Sequence, residues 1–320
     1  ESRVSDVIST WKPNIIYHAA AVKHVPIVEH NIAECIKNNV LGTLAMAKAA
    51  IEWQVERFIL VSTDKAVNPA NAMGASKRCC ELILQSLAAE VRPLFTPTLD
   101  GRASAQITRT TQLAIVRFGN VLGSSGSVVP HFRQQIAQGG PITLTHQDII
   151  RYFMTIPEAA QLVMQTGAMA GGSSKGIGSR VNSAAEVYVL DMGEPVKIID
   201  LAHRIVELSG YRVKDESSRE GDIAIKVVGL RPGEKLYEEL LIGSNPEATQ
   251  HPRIMKANEK FLSWNELQPM ITTLGNAAVN GDVMMIRSIL QLLVPEYQPD
   301  KKVVDWVYME QIAQAGRLEC

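Results

Sequence analysis

The chain has 320 residues, of which 46% are hydrophobic and 20% charged, an ordinary globular composition that excludes disorder, collagen and coiled coil. Its 32 basic and 33 acidic residues give a formal net charge of −1, which argues against a general nucleic-acid binder because such proteins need a basic surplus. The four cysteines form no Cys-x-x-Cys pair and no apolar run reaches about 18 residues, which excludes a disulfide scaffold and a membrane span.

The first 120 residues alternate between helical and strand patterns. Helices are predicted at 4–11, 29–52 and 72–90, and short apolar strands at 15–21, 57–63 and 113–118. This alternation favours a parallel sheet covered by helices on both faces.

The later part of the chain has a mixed pattern. Residues 92–111 and 170–179 are predicted as loops, 156–167 and 198–208 as helices, and the tail after residue 261 as mostly helical. We therefore expect an α/β fold with a Rossmann-like doubly wound parallel sheet in residues 1–121. A strand within about 181–192 would complete that sheet. Residues 122–320 would form mainly a smaller mixed α/β substrate lobe and C-terminal helices.

The segment 61–77 runs from a strand end through a turn into a helix. Ligands of open α/β sheets sit outside the carboxyl ends of the strands, so Thr63, Asp64 and Lys65 are expected at the ligand-binding edge. Met73 and Lys77 are four residues apart and share one face of the predicted helix. We therefore expect Lys77 to face the same cleft.

Four strings in chain order carry a resemblance to a known family. They are His-Ala-Ala-Ala-Val-Lys-His-Val-Pro (18–26), Ser-Thr-Asp-Lys-Ala-Val-Asn-Pro-Ala-Asn-Ala-Met-Gly-Ala-Ser-Lys (62–77), Arg-Phe-Gly-Asn-Val-Leu-Gly-Ser-Ser-Gly-Ser-Val (117–128) and Leu-Arg-Pro-Gly-Glu-Lys-Leu-Tyr-Glu-Glu-Leu (230–240). Over most of its length the sequence resembles extended short-chain dehydrogenases/reductases of the UDP-N-acetylglucosamine 4,6-dehydratase family, in the sub-branch with Met in place of the Tyr of Tyr-x-x-x-Lys.

The resemblance implies a lyase of surface-polysaccharide biosynthesis that acts on a UDP-sugar with a tightly bound, recycled NAD. The sugar is oxidised at C4, water is eliminated across C5–C6, and the hydride returns to C6. Lys65 would be the base and Asp64 the acid, with Thr63 bonded to the C4 oxygen. In the reacting state we expect the neutral Asp64–Lys65 pair. This needs a closed, dry site that lowers the pKa of Lys65 and raises that of Asp64, although their opposite charges oppose both shifts.

Met73 departs from the usual mechanism, because a thioether cannot transfer a proton. Asp64, or a water held by Thr63, are the candidates for deprotonating the C4 hydroxyl, and Lys77 would keep a ribose-binding and electrostatic role. Two alternatives stay open: a UDP-sugar C4 epimerase, and a catalytically inactive sugar-nucleotide-binding module.

The resemblance also assigns binding residues on both sides of the cleft. The residues expected to bind the cofactor are His18, Ala19, Ala20, Ala21, Lys23, Asn39 and Lys77. The residues expected to bind the substrate are Lys23, Asn120, Ser127, Arg151, Arg231 and Glu234. The histidines show no metal-ligand spacing, so we expect no metal.

The chain lacks the Gly-x-x-Gly-x-x-Gly turn that seats the NAD pyrophosphate in this family. We therefore expect the first βαβ unit to be missing from this chain and the working protein to be longer. Any membrane attachment would come from segments outside this sequence. A cytoplasmic location, on the cytoplasmic face of the inner membrane for a full-length protein, and a homo-oligomer (dimer or larger) are expected. The resemblance suggests retention at C5, while the pathway end product stays open.

Overall fold

The computed structural model describes residues 2–90, 111–170, 185–214, 220–231, 233–239, 246–300 and 302–318. The predicted loops at 92–111 and 170–179 lie outside these residues, except for Thr111 and Ala170.

Strands and helices alternate through the first half of the described chain. The strands are β1 (Ile15–His18), β2 (Arg57–Val61), β3 (Gln112–Arg117), β4 (Asn120–Val121), β5 (Ile142–Leu144), β6 (Ile150–Arg151), β7 (Phe153–Met154), β8 (Glu186–Leu190), β9 (Val196–Lys197), β10 (Ile225–Val227), β11 (Glu247–Ala248) and β12 (Ile254–Ala257). The α-helices are α1 (Ser2–Trp11), α2 (Val25–Glu29), α3 (Ile32–Cys35), α4 (Gly42–Glu52), α5 (Ala72–Glu90), α6 (Val128–Ala137), α7 (Ile156–Met169), α8 (Ile198–Leu208), α9 (Trp264–Asn280), α10 (Val283–Leu293) and α11 (Trp306–Leu318). A π-helix (Ile36–Leu41) joins α3 to α4, and a 3₁₀ turn (Asp64–Ala66) follows β2.

The described residues form a six-stranded main sheet in the order β1-β2-β3-β8-β12-β11. The first four strands are parallel, which confirms the predicted Rossmann-like α/β class. Strands β12 and β11 join antiparallel at the far edge. The sequence did not predict this antiparallel edge, because strands of four and two residues are too short to show a period of two.

Helices cover both faces of the sheet. Phe58 and Leu60 point to one face and pack with α1, α4, α5, α9 and α10, while the intervening Ile59 points to the other face and packs with α7. Successive side chains of a strand alternate in this way, so β2 is buried on both faces as an apolar run predicts.

The predicted helix at 29–52 is broken into four pieces. A turn at His30–Asn31 separates α2 from α3, and the π-helix then precedes α4. Single π turns inside helices are often found at functional sites. Here the π turn carries Asn39, which is buried below the predicted cofactor turn.

Helix α5 is surrounded by other elements. Every residue from Ala72 to Leu87 is buried, because α5 lies on the sheet and is covered by α4, α9 and α10. The start of α9 is fixed by a capping box between Ser263 and Glu266, and its end by Gly281 with φ of 69°. The helical tail is therefore part of the main core.

A second lobe stands at the carboxyl ends of the parallel strands. Helices α6 and α8 enclose a separate apolar core with the parallel pair β5–β10, including Phe132, Ile142 and Ile198. Short pairs β4–β7 and β6–β9 connect this lobe to the main sheet. A cleft lies between the lobe and the strand ends.

Candidate active site

The cleft opens where β1, β2 and β3 end side by side. Its volume is about 350 Å³. Ligand sites of open α/β sheets lie in this position. Its lining is formed by Ala19, Ala21, Val22, Lys23, His24, Val61, Ser62, Thr63, Lys65, Met73, Lys77, Phe118, Gly119, Asn120, Val121, Ser124, Ser125, Gly126 and Ser127.

Asp64 and Lys65 lie in the 3₁₀ turn that follows β2. Asp64 is fully buried, and its Oδ1 accepts hydrogen bonds from Thr63 Oγ1 at 2.8 Å and Lys65 Nζ at 3.0 Å. The Lys65 side chain is 21% exposed and lines the cleft. Lys65 thus stands at the wall of the cleft, and the buried Asp64 lies behind it, in contact with Lys65 but outside the cleft lining.

The second carboxylate oxygen of Asp64 has no hydrogen-bond partner among the described residues. It lies close to Gly119, where a Cβ atom would be 3.1 Å from Asp64 Oδ2. A buried carboxylate oxygen is costly to leave unpaired, and a ligand hydroxyl that donates to it would satisfy it. The unpaired Oδ2 of Asp64 is therefore an acceptor open to a donor from a ligand.

Lys65 has more acidic neighbours than the sequence revealed. Its Nζ lies 3.4 Å from Asn120 Oδ1 and 3.8 Å from Glu238 Oε1. Burial alone would lower the pKa of Lys65, but Asp64 and Glu238 outweigh it and the pKa is raised. The sequence analysis counted one carboxylate near Lys65 and did not count Glu238, and the neutral pair that it expects in the reacting state stays a prediction.

Glu238 is a site residue that the sequence analysis missed. It is buried, and burial is the main cause that raises its pKa, while Lys65 and Arg151 oppose that shift. Its position within the string 230–240 was the available signal, but one of several acidic residues in that string could not be singled out.

Met73 and Lys77 both lie on the face of α5 that lines the cleft, as their spacing predicts. Lys77 Nζ donates to the carbonyl of Val61 at 2.7 Å, which fixes the ammonium group at the end of β2. Met73 is 4% exposed and brings no ionisable group. The wall opposite Thr63 therefore carries a fixed cation and a thioether.

The turn after β1 contributes small side chains and backbone. Ala19 and Ala21 line the cleft together with Lys23, whereas Ala20 is exposed outside its lining. His18 is buried, and its Nε2 lies 3.0 Å from Thr43 Oγ1. Burial, helped by Lys77, lowers the pKa of His18 to about 4. His18 therefore supports the turn from below as a neutral imidazole.

Asn39 fixes the same turn from the π-helix. Its Oδ1 accepts from the Val22 N–H at 2.8 Å, and its Nδ2 donates to the Val22 carbonyl at 3.1 Å and to Ser76 Oγ at 3.0 Å. One side chain thus joins the turn to α5. Asn39 acts on the cleft through Val22, because it does not itself line the cleft.

The loop before α6 forms the opposite rim of the cleft. Ser127 Oγ is buried and without a hydrogen-bond partner among the described residues, although Ser127 is the N-cap of α6. Gly126 has φ of 66°, and a Cβ there would lie 2.1 Å from the His24 ring. Within this loop, Ser124 N donates to the Val121 carbonyl at 3.3 Å and Ser127 N to the Ser124 carbonyl at 3.0 Å, so these two N–H groups hold the turn. Asn120 donates to the Tyr152 carbonyl at 3.2 Å and faces Lys65 with its oxygen.

Arg151, Arg231 and Glu234 lie beyond the cleft lining. Arg151 donates to the carbonyls of Lys235 at 2.7 Å and Leu236 at 3.1 Å, so its guanidinium holds a neighbouring segment. Glu234 accepts from Thr145 Oγ1 at 2.9 Å, and Arg231 is exposed. Their substrate-binding role stays a prediction.

A buried charge network supports the strand ends from below. The guanidinium of Arg117 pairs with Glu81 and Glu259, and Arg78 pairs with the same two carboxylates. Burial opposes ionisation of Glu81, but Arg117 and Arg78 lower its pKa to about 2. Ser62, the residue before Thr63, donates to Glu81 at 2.6 Å. The network therefore fixes β2, β3 and α5 relative to one another.

The residues that the structure describes contain neither a metal-binding cluster nor a membrane-spanning helix. No group of three or more His, Cys, Asp or Glu side chains is arranged to hold a metal ion there. In the same part of the chain, no helix has the length and apolar character needed to cross a bilayer.

Comparison with curated proteins finds relatives over about three quarters of the chain. The capsular polysaccharide biosynthesis protein CapD of Staphylococcus aureus is 48% identical over 241 residues, 75% of this chain and 34% of its own length. The UDP-N-acetylglucosamine 4,6-dehydratase (inverting) of Campylobacter jejuni is 30% identical over 238 residues, 74% of this chain and 58% of its own length. A UDP-glucose 4-epimerase of Rickettsia rickettsii is 34% identical over 228 residues, 71% of this chain and 56% of its own length.

Among solved structures, Pen from Bacillus thuringiensis superposes with a TM-score of 0.60 at 27% identity, over 85% of this chain and 78% of that chain. The sheet, its helices and the cleft at the strand ends define a Rossmann-like protein of the extended short-chain dehydrogenase/reductase type.

The chain matches the family described as "Polysaccharide biosynthesis protein" over residues 1–259, and it belongs to that family. It spans from about a third to somewhat more than half of the length of the curated relatives described above.

Proposed function

We propose that the chain carries the catalytic acid–base pair of a nucleotide-sugar 4,6-dehydratase, acting on UDP-N-acetylglucosamine in polysaccharide biosynthesis. The observation that carries the proposal is the buried Asp64–Lys65 contact beside Thr63 at the cleft. Elimination of water from a 4-keto sugar needs a base at C5 and an acid at the C6 hydroxyl, close together on one face of the ring. The two adjacent residues offer that pair.

The contact distance suggests how acid and base arise together. Transfer of one proton from the Lys65 ammonium to the Asp64 carboxylate, over the 3.0 Å contact, gives a neutral amine and a neutral carboxyl group. Lys65 then takes the C5 proton as the C5–C6 double bond forms. Asp64 gives its proton to the C6 oxygen as the C6–O bond breaks, so that water leaves. Asp64 and Lys65 must therefore carry one transferable proton between them before the elimination begins.

The described residues fit the nicotinamide end of NAD. The alanines of the β1 turn leave room for a close approach to the backbone, and Lys77 holds a fixed positive charge at the end of β2. NAD, when bound, would supply the hydride acceptor at C4 and the hydride donor at C6. The proton of the C4 hydroxyl would pass to a water held by Thr63, and Lys65 would return its proton to C5 as C6 is reduced. Thr63 would bind the C4 oxygen, and the unpaired Ser127 Oγ would bind a substrate oxygen.

The proposal is tested with the complete protein, UDP-N-acetylglucosamine and NAD. Mass spectrometry is expected to show a product lighter by one water. Lys65→Met and Asp64→Asn are expected to lower turnover by about 10²–10⁴-fold, because each removes one partner of the proton transfers. Lys37→Met serves as the matched control, since Lys37 pairs with Glu34 on the surface.

A UDP-sugar C4 epimerase is the second candidate, because relatives of similar identity carry that name. Epimerisation leaves the mass unchanged and uses no base at C5. Turnover that survives Lys65→Met with an unchanged product mass would therefore replace the dehydratase proposal. A UDP-sugar that binds without any conversion would instead support the inactive binding module. The cytoplasmic location and the self-association stay proposals that depend on the complete protein.

A further inference from the structure

Glu238 reaches Lys65 from the second lobe. The segment 233–239 is fastened to the loop that precedes α5: Asn71 Nδ2 donates to the Gly233 carbonyl at 2.8 Å, and Lys235 Nζ donates to the Val67 carbonyl at 3.2 Å. These contacts place a buried carboxylate 3.8 Å from the Lys65 ammonium. A residue far away in sequence thus becomes part of the surroundings of the acid–base pair.

The charges around Lys65 come from three elements. Asp64 lies on the same turn, Glu238 on the segment 233–239, and Arg151 on β6. Arg151 Nε is 3.7 Å from Glu238 Oε1, and Lys235 also acts on Glu238. The ammonium group therefore stands between two carboxylates, one of which is partly balanced by an arginine and a lysine.

This arrangement matters for the number of protons on the pair. The proposed reaction needs one proton shared between Asp64 and Lys65, and the pair fails if that proton escapes to solvent at alkaline pH. A second negative charge near Lys65 holds the proton to a higher pH. Asp64 cannot by itself supply this negative charge, because its carboxylate is the group that must receive the proton and become neutral.

We propose that Glu238 is a positioning residue, whose carboxylate holds the Lys65 ammonium against Asp64 and Asn120 and keeps the shared proton on the pair at alkaline pH. The inference rests on the proposed function of Asp64 and Lys65. Glu238 takes no part in bond making, because it acts on the substrate only through Lys65.

The first test compares pH profiles of turnover in the complete protein. In Glu238→Gln, which keeps the shape of the side chain and removes its charge, the alkaline limb is expected to move to lower pH by about one unit. Glu239→Gln is the matched control, with the same charge change at the next residue, which is exposed. A uniform loss of turnover with an unmoved alkaline limb would show a structural role only and would overturn the proposal.

A second measurement needs no turnover. Lys65 is labelled with trace acetic anhydride over a range of pH, and its acetylated peptide is quantified by mass spectrometry. The labelling midpoint of Lys65 is expected to fall by about one pH unit in Glu238→Gln and to stay in place in Glu239→Gln. Glu238→Asp, which keeps the charge, is expected to stay near the wild-type midpoint. A midpoint of Lys65 that is the same in wild type and Glu238→Gln would contradict the proposal. A fall in Glu238→Asp as large as in Glu238→Gln would also contradict it. If Glu238→Gln does not fold, a fall of about one pH unit in Glu238→Asp overturns the proposal.

The two measurements separate two kinds of failure. If no dehydrated product forms but the labelling midpoint of Lys65 moves, the proposed function is wrong while the action of Glu238 on Lys65 stands. If the dehydrated product forms and neither the midpoint nor the alkaline limb moves, the dehydratase stands and Glu238 has no such role.

Discussion

Met73 occupies the position on α5 where the resembling family usually has a proton-carrying tyrosine. Its side chain is buried against the cleft, four residues before Lys77, and no other side chain of α5 fills that place. Under the proposed function, proton handling would fall to groups outside α5, since Lys77 is held by the Val61 carbonyl. In the described part of the site these are Thr63, Asp64 and Lys65.

The substitution Met73→Leu tests whether the thioether of Met73 only fills space or takes part in the chemistry. Leucine has a similar volume and no sulfur, and such exchanges in a core usually cost less than about 1.5 kcal/mol. Turnover is expected to stay within about threefold of wild type if the thioether only fills space. Product formation is measured by mass spectrometry, with thermal unfolding as the check on folding. A 100-fold loss of turnover in a folded Met73→Leu protein would show that the sulfur takes part in the chemistry.

Single residues also show what the sequence could predict. Thr63, Asp64, Lys65, Met73 and Lys77 are close in the chain, so one strand end and one helical turn suffice to place them together. Glu238 arrives through a contact between two lobes, and no local period encodes such a contact. The N–H groups of Arg151 donate to backbone carbonyls. These partners depend on how the neighbouring segment folds, so the residue type alone does not predict them.

At the level of elements, α5 and α8 have the bounds that their sequence predicts, because each is long enough to show helical spacing. The helix predicted at 29–52 is interrupted, since its apolar spacing continues through the turn at His30–Asn31 and the π-helix. The π-helix packs against α5 and α9. Such contacts between distant segments cannot be predicted from the local sequence.

The buried charge network is a polar link between α5, β3 and the end of β2. Glu81 on α5 bonds Arg117 on β3 and Ser62 after β2. Glu81→Gln removes a buried charge and leaves two arginines short of a partner, which is expected to lower the free energy of unfolding by about 3–5 kcal/mol at pH 7. Glu34→Gln, at an exposed pair, is the control and is expected to cost at most about 1 kcal/mol. Urea unfolding of both variants provides the measurement.

The same variant gives a pH test with a defined sign. The pKa of Glu81 is about 2 in the folded protein and lies below the ordinary glutamate value of 4.5, so its contribution to stability is present above pH 4.5 and is lost as the pH falls towards 2. The difference between wild type and Glu81→Gln in free energy of unfolding should therefore shrink across that window. A difference that stays constant from pH 7 to pH 3 would show that the charge of Glu81 contributes nothing.

At the scale of the whole molecule, the cleft depends on the contacts between the second lobe and the loop that precedes α5. Asn71 serves both sides, because its Oδ1 accepts from Gly74 N at 2.8 Å while its Nδ2 donates to the Gly233 carbonyl. Asn71→Asp keeps the acceptor at the start of α5 and replaces the donor by an oxygen that faces another oxygen. Asn71→Asp therefore weakens the contact with residues 233–239 and leaves the hydrogen bond at the start of α5 in place.

We expect Asn71→Asp to raise hydrogen exchange in residues 233–239 while exchange in α5 changes little. Exchange followed by mass spectrometry measures both regions in one experiment. Asn258→Asp, which alters an exposed amide bonded to Glu247, is the control. Equal exchange of 233–239 in wild type and Asn71→Asp would mean that other contacts hold the lobe in place.

The main core joins the two ends of the sequence, since Ile8 and Val28 belong to the same apolar cluster as Leu274, Ile286 and Tyr297. During synthesis on the ribosome, α5 emerges long before α9 and α10, which later cover it. About 200 further residues must therefore be synthesised before α9 and α10 can cover the apolar surface of α5. At typical elongation rates this takes about 10–40 s. The nascent chain is thus expected to need shielding by a chaperone over that interval, a demand that a locally packed core would not create.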